Sequence, residues 1–215
     1  YDPSKELKVV TVLAEMPHVV VAPPSLAVGN LKDLAALASK NPGQLNFGSA
    51  GVGSSVHMMG ELFKLAAKAP ITHVPYKGSS AALNDLMGGQ IQLMFENPPT
   101  VIQHVKAGKL KALAVTGKQR LAALPDVPTG IESGYPAFEA TSWTTIAVGA
   151  KVPDAIADKL NADIRKVVNS PEFRKGLEDQ GMTPVANTRD VAAKFIVSEK
   201  ARWDKVIEQG HLNAD

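Results

Sequence analysis

The feature that most restricts the fold is a regular alternation of strand-like and helix-like segments between residues 45 and 116. Short apolar segments that suit buried strands are predicted at 45–48, 71–75, 91–95 and 110–116. Helices are predicted at 55–68, 80–87 and 101–107. This order favours a parallel sheet whose strands are joined by crossover helices.

The chain on either side of this alternation is predicted to contain fewer strands. Strands are predicted at 19–22 and 144–148, and helices at 31–40, 155–168, 171–180 and 189–209. We expect an α/β lobe over residues 23–143 and a partial lobe from residues 1–22 plus 144–215. The partial lobe has too few strands for a sheet of its own, so we expect preceding residues or another chain to complete it. An uncovered sheet edge of this kind also predicts self-association.

The composition excludes several functional classes. The 215 residues carry 23 basic and 21 acidic side chains, a net charge of +2, without a long run of one sign. This balance gives no signal for nucleic acid or for a polybasic membrane surface. The absence of cysteine excludes disulfides, thiolate chemistry and zinc–cysteine sites. No apolar run approaches the roughly 18 residues of a membrane span, and the first residues lack the apolar region of a signal peptide.

Two Gly/Ser-rich loops stand where a predicted strand runs into a predicted helix. The first, Gly48–Ser55, contains three glycines and three serines, and the second is Tyr76–Ser80. Glycine lets the backbone turn tightly and approach a ligand. The first-turn amides of a helix lack partners and carry partial positive charge, which suits an anion. Since both loops should lie at the carboxyl ends of parallel strands, we predict that they share one anion site.

The loop sequences do not match the common nucleotide motifs. The first loop lacks the Gly-Lys-Ser/Thr ending of a Walker A loop. The run Gly51-Val52-Gly53-Ser54-Ser55-Val56 imitates a dinucleotide fingerprint, but Val56 stands where glycine or alanine is wanted. No acidic residue follows at the expected distance, and no cofactor is predicted. A carboxylate, which is small and needs no metal, fits these loops better.

Catalytic and metal-binding alternatives rest on few residues. A small hydrolase or transferase would use Ser54 or Ser55 with His57, although neighbours on one helical turn rarely give nucleophile–base geometry. His57 and Glu61 could share a helix face as metal ligands, but further ligands are lacking, and His57 better suits a hydrogen-bonding role at the helix start. Glu96 is either a turn acid or a specificity group for a ligand ammonium or hydroxyl.

Six segments, taken in order, carry a resemblance that no single motif would establish. They are Tyr1–Leu7, Pro42–His57, His73–Ser79, Asp85–Gln90, Lys106–Thr116 and Leu124–Thr129. Their order and spacing are similar to those of the solute-binding receptors of tripartite tricarboxylate transporters, the TctC- or Bug-type family. Family members normally begin with another strand–helix region that supplies part of the ligand cage, and this sequence starts after it.

The resemblance implies a two-lobed periplasmic binding protein-like (type II) α/β fold, here with the first lobe incomplete. It implies a secreted, non-enzymatic receptor that captures a small carboxylate in the periplasm and delivers it to membrane permease subunits; a ligand sensor is an alternative. The matching loop positions are Ser49, Gly51, Gly53, Ser54, Ser55 and His57 in the first loop and Tyr76, Lys77, Gly78 and Ser79 in the second. Glu96 matches a position associated with ligand choice.

Overall fold

A computed structural model describes residues 2–212, which form two compact units. The flanking unit contains the residues up to Met16 together with Ser142–Lys205, and the central unit contains Pro17–Thr141 with the residues after Lys205. The strands are β1 (Leu7–Pro17), β2 (Val19–Ala22), β3 (Asn46–Ser49), β4 (Thr72–Pro75), β5 (Leu93–Glu96), β6 (Lys111–Val115), β7 (Thr141–Gly149) and β8 (Thr183–Pro184). The helices are α1 (Pro3–Glu6), α2 (Leu31–Lys40), α3 (Ser55–Ala67), α4 (Ser79–Met87), α5 (Pro98–Lys106), α6 (Asp154–Val168), α7 (Pro171–Glu178) and α8 (Arg189–Gln209).

The central unit is built on a five-stranded sheet in the order β4-β3-β5-β2-β6. Strand β3 is parallel to β4 and to β5, as the strand–helix alternation predicts. Strand β2 is antiparallel to both β5 and β6, so the expected parallel sheet is in fact mixed. The sequence prediction groups residues 19–22 with the partial lobe, whereas their pairing places them in this sheet. All four residues of β2 are fully buried, which suits a strand with a neighbour on each edge.

Apolar side chains cover both faces of the central sheet. On the α3 face, Phe47, Phe63, Phe95 and Phe138 are fully buried, with ring centroids 5.2 to 6.0 Å apart in edge-to-face or tilted pairs. Such pairs stabilise a core beyond the area they bury. On the opposite face, Met94 of β5 joins an apolar cluster with residues of β2, α4 and α5. The alternation of Met94 and Phe95 between the faces follows from the two-residue period of a strand.

The flanking unit has a three-stranded sheet of its own, in the order β7-β1-β8. The prediction that this part has too few strands for a sheet is therefore wrong. Strand β1 extends over 11 residues, and its end pairs antiparallel with the two-residue strand β8. Asn161 of α6 anchors the sheet, because its side-chain amide donates to the carbonyls of Val10 at 2.8 Å and Asn187 at 2.9 Å.

No helix within residues 2–212 combines the length and the apolar character that crossing a bilayer requires.

Candidate functional site

The carboxyl ends of three parallel strands bring the predicted site residues to one edge of the central sheet. Strands β4, β3 and β5 are neighbours and run the same way, so the first loop follows β3, the second follows β4, and Glu96 ends β5. Each strand is followed by a helix, and the three helices begin at Ser55, Ser79 and Pro98. The two loops also touch, because the amide of Tyr76 donates to the carbonyl of Ser49 at 3.1 Å.

The first loop is held by hydrogen bonds within itself. The Ser54 hydroxyl donates to the carbonyl of Gly51 at 2.7 Å and accepts from the amide of His57 at 3.3 Å, which makes Ser54 the N-cap of α3. The amide of Gly53 donates to Nδ1 of His57 at 3.0 Å, and the amide of Gly51 donates to Oγ of Ser49 at 3.1 Å. Gly51 and Gly53 both have positive φ, at 128° and 75°, so glycine is required at both positions.

These contacts divide the predicted residues of the first loop into two groups. Ser49 and His57 are buried, with 0% and 3% of their surface exposed, and Oγ of Ser49 and Nδ1 of His57 accept from the loop amides of Gly51 and Gly53. Ser55 is exposed at the first helical position of α3. The amides of Ser55 and Val56 precede the first amide with an intrahelical acceptor, so they are donors directed outward from the helix start.

The second loop presents a helix start without a side-chain cap. Gly78 is the N-cap of α4, with φ of 112°, and no side chain accepts from the first-turn amides there. The Tyr76 hydroxyl donates to Oδ2 of Asp85 at 2.8 Å, which ties the loop to its own helix. Burial, together with this bond to Asp85, raises the pKa of Tyr76. Lys77 is exposed and Ser79 is half-buried, so the donors of this loop remain near the surface.

The end of β5 offers hydrogen-bond acceptors, whereas the two loops offer donors. Glu96 is fully buried; its Oε1 accepts from the amide of Asn97 at 2.8 Å, whereas its Oε2 has no hydrogen-bond partner in the described chain. The Oδ1 of Asn97, also buried, is likewise without a partner there. Helix α5 begins with Pro98 and Pro99, which have no amide hydrogen. This corner of the sheet edge therefore offers hydrogen-bond acceptors, whereas the starts of α3 and α4 offer donors.

A pair of stacked histidines lies behind the first loop, and only one of them, His57, is predicted from the sequence as a site residue. The rings of His57 and His73 are 3.8 Å apart and nearly parallel, and Oγ of Ser49 lies 2.6 Å from Nε2 of His73. Burial, with the nearby positive charge of Lys64, lowers the pKa of His73 to about 4. A sequence feature that could have predicted an inward-facing His73 is its spacing from Ile71, which is buried. Residues two apart in a strand lie on the same face.

An acidic and a basic side chain complete the histidine cluster on α3. Nε2 of His57 lies 3.6 Å from Oε1 of Glu61, and the ammonium of Lys64 lies 2.8 Å from the other carboxylate oxygen. Burial raises the pKa of Glu61, but hydrogen bonds from His57 and Lys64 outweigh it, so the net shift is downward. His57, His73 and Glu61 are all of metal-ligand type, but residues 2–212 contain no group of three His, Cys, Asp or Glu side chains placed so that it could hold a metal.

The catalytic alternative does not gain support from this geometry. The Ser54 hydroxyl is engaged with backbone groups of Gly51 and His57. Neither ring nitrogen of His57 contacts the hydroxyl of Ser54 or Ser55, because Nδ1 accepts from Gly53 and Nε2 faces Glu61. A nucleophile–base pair requires a direct hydrogen bond of this kind.

The α/β architecture is that of periplasmic binding proteins: BugD is 27% identical, with a TM-score of 0.86 over 99% of this chain and 72% of that one. A protein of R. palustris solved with adipate is 32% identical, with a TM-score of 0.89 over 99% of this chain and 71% of that one. MatC from Rhodopseudomonas palustris, solved with bound malate, is 30% identical, with a TM-score of 0.84 over 96% of this chain and 71% of that one. These similarities confirm the predicted type II periplasmic binding protein-like fold.

Residues 1–212 match the tripartite tricarboxylate transporter family receptor, and the chain belongs to that family. The resemblance predicted from the six segments is thereby confirmed. Protein BugT of Bordetella pertussis is 35% identical over 209 residues, which are 97% of this chain. The chain spans 64% of the length of that relative.

Proposed function

We propose that this chain is the ligand-binding part of a receptor that captures a small carboxylate and takes no part in covalent chemistry. The observation that carries the proposal is the pair of helix starts, α3 and α4, at the carboxyl ends of the adjacent strands β3 and β4. Their first-turn amides form a positive, donor-rich place for an anion. The solved relatives with adipate and malate support a carboxylate, since both ligands are dicarboxylates.

The donor set of the proposed site consists of backbone amides and exposed hydroxyls. We assign ligand contact to the amides of Ser55 and Val56 and to the hydroxyls of Ser55 and Ser79. Ser49, Gly51, Gly53, Ser54 and His57 then act by shaping the first loop, and Tyr76 and Gly78 by shaping the second.

We propose that the choice of ligand depends on the buried acceptor oxygens of Glu96 and Asn97 at the end of β5. A buried acceptor without a partner costs free energy, on the order of 1–3 kcal/mol, until a donor reaches it. Glu96 and Asn97 each have one such oxygen. A ligand hydroxyl or ammonium beside its carboxylate would supply the donor, so a hydroxy- or amino-carboxylate should bind more tightly than its unsubstituted analogue. Malate against succinate is the matched comparison.

The proposal is tested by thermal unfolding with a panel of carboxylic acids. An acid at about 100 times its dissociation constant should stabilise the protein by roughly 2.7 kcal/mol. A panel of millimolar dicarboxylates, tricarboxylates, acidic amino acids and aromatic acids that leaves the melting temperature unchanged would refute it.

One substitution isolates the amide donor of α3. Ser55→Pro removes the N–H at the first helical position, where proline is well tolerated. Ser54 has φ of −64° and ψ of 157°, a conformation that a following proline accepts. We expect Ser55→Pro to fold normally and to bind the acid about tenfold or more weakly, the effect of losing a hydrogen bond to a charged group. Ser55→Ala, the control, removes only the hydroxyl and should bind more tightly than Ser55→Pro.

Delivery of the ligand to permease subunits from the periplasm is part of the same proposal. It is supported by membership of a transporter receptor family. The test is uptake of the identified acid by cells that carry the permease, with and without the full-length receptor. Fractionation of the same cells locates the receptor. Uptake that is unaffected by removing the receptor would contradict the delivery role.

We further propose that the flanking unit mediates association between two copies of this chain. Strand β7 is an edge strand of the sheet, and an apolar groove of about 760 Å³ lies between the sheet and α8. The groove is lined by Leu7, Trp143, Ile196 and Val197, and Val197 is 70% exposed. Open edges and apolar grooves favour pairing with a second copy. Light scattering should show a dimer that Val197→Lys weakens; a monomer at tens of micromolar would contradict this.

A further inference from the structure

Hydrogen bonds connect the two stacked histidines to the two loop glycines that have positive φ. His57 accepts directly from the amide of Gly53. His73 contacts Ser49, whose hydroxyl oxygen accepts from the amide of Gly51. The backbone of the first loop is therefore held at its two positive-φ positions, at Gly53 by His57 directly and at Gly51 by His73 through Ser49.

We propose that His57 and His73 are positioning residues for the ligand loop, and that ligand affinity falls when this pair takes up a proton. The inference rests on the proposed carboxylate site. Nδ1 of His57 can accept the Gly53 amide only while it has no proton, since a protonated nitrogen would set two donors against each other at 3.0 Å. The loop would then have to move away from the start of α3.

The groups around the His57–His73 pair do not favour a positive charge on its rings. His57 is 3% exposed, and the ring of His73 stacks on it at 3.8 Å, so each ring has the other ring rather than water on that face. The charged groups that face the pair are Glu61 and Lys64 of α3, and these two already pair with each other. Strand β3 contributes the ring of Phe47, 5.0 Å from that of His73, and the hydroxyl of Ser49. Neither of these titrates in the relevant range.

The test uses two replacements of His57 that differ only in the acceptor. In His57→Asn the side-chain oxygen can take the place of Nδ1 and does not titrate, whereas His57→Leu has no acceptor. Binding of malate and adipate is measured by isothermal titration from about pH 7.5 to about pH 4, the value to which burial lowers the pKa of His73. At the higher pH we expect His57→Asn to bind like the unsubstituted protein and His57→Leu to bind about tenfold more weakly. At the lower pH the unsubstituted protein should lose affinity, and His57→Asn should lose less.

Malate and adipate themselves change protonation over this pH range. Comparing the variants with the unsubstituted protein at the same pH cancels that effect. Equal affinity of His57→Leu and the unsubstituted protein, identical pH profiles for His57→Asn and the unsubstituted protein, or tighter binding in acid would each overturn the inference. If no acid of the full panel binds the unsubstituted protein, the proposed function fails first. Should His57→Leu not fold, the pH profile of His57→Asn still decides.

A ligand-free measurement checks the same contact directly. The NMR shift of the Gly53 amide should change over the pH range in which affinity is lost, and this change should be absent in His57→Asn. His73→Gln, which keeps an acceptor for the Ser49 hydroxyl, should bind the acid with near-normal affinity at neutral pH. A Gly53 amide shift that stays constant over that pH range would contradict the positioning role.

Discussion

Gly60, in the middle of α3, gives the sharpest test of how tightly this helix packs on the central sheet. A glycine in a helix interior is normally improved by alanine, by about 0.5–1 kcal/mol. At Gly60 an added methyl carbon would lie 2.1 Å from Cε2 of Phe47 and 2.6 Å from two further ring atoms. Phe47 is fully buried, and its ring contacts Phe95 and His73, so it has little room to move.

The expected net effect of Gly60→Ala is therefore destabilising. Overpacking of a filled core costs about 1–3 kcal/mol, and an overlap of this size belongs near the upper end of that range. Subtracting the usual gain of about 1 kcal/mol leaves a loss of about 2 kcal/mol in the free energy of unfolding. Urea unfolding followed by far-ultraviolet circular dichroism measures it, with hydrogen exchange of the α3 amides to confirm that the central unit is affected.

Gly176, within α7, is the matched control. No atom lies within 4 Å of its added methyl group, so Gly176→Ala should stabilise the flanking unit by about 0.5–1 kcal/mol. Trp143 and Trp203 both lie in the flanking unit, so tryptophan fluorescence reports this change. Phe47→Leu should lower the free energy of unfolding less in the Gly60→Ala variant than in the unsubstituted protein. The smaller leucine side chain relieves the overlap with the added methyl group. If Gly60→Ala is as stabilising as the control, the packing argument is wrong.

Three further predictions concern stability. Burial lowers the pKa of His18 from 6.5 to about 4, so the unfolded chain binds more protons between these values and stability falls as the pH is lowered from about 6.5 to 4. The loss reaches about 3 kcal/mol, and His18→Gln should remove that part of the pH dependence of urea unfolding. Ser54→Ala should cost about 1 kcal/mol by removing the N-cap of α3, whereas Ser54→Asp should cost less; equal losses would contradict capping. Asn161→Ala should cost about 2 kcal/mol because it leaves the carbonyls of Val10 and Asn187 without this donor, and an unchanged fluorescence-detected midpoint would refute it.

The long periodic elements could be predicted from the sequence because their signals are local. The helix predicted at 189–209 is observed as Arg189–Gln209, and the one predicted at 55–68 as Ser55–Ala67. In each case an apolar period of helical spacing fixes the element, and in α3 the capping residue Ser54 marks its start. The positions of both loops, at strand ends and helix starts, follow from the same local signals.

The pairing of strands and the roles of buried polar residues could not be predicted in the same way. A short apolar run such as Val19–Ala22 indicates a buried strand but not its direction or its neighbours. The two-residue strand β8 is too short to show a period. His73 meets His57 only through the register that pairs it with Phe47 across β3 and β4, which no local pattern contains.

The antiparallel strand β2 determines the order in which the central sheet can assemble. The parallel strands β3, β4 and β5 are joined by single helices, so their contacts form between segments that are close in the chain. Strand β2 precedes them all, yet its partners are β5 and β6, which are far later in the chain. Closing so long a loop is slow, because its entropy is lost before the contacts form. Since β6 joins the sheet only through β2, the last strand should become protected from hydrogen exchange only after β2 has docked, and the region around the ligand loops should be protected earlier.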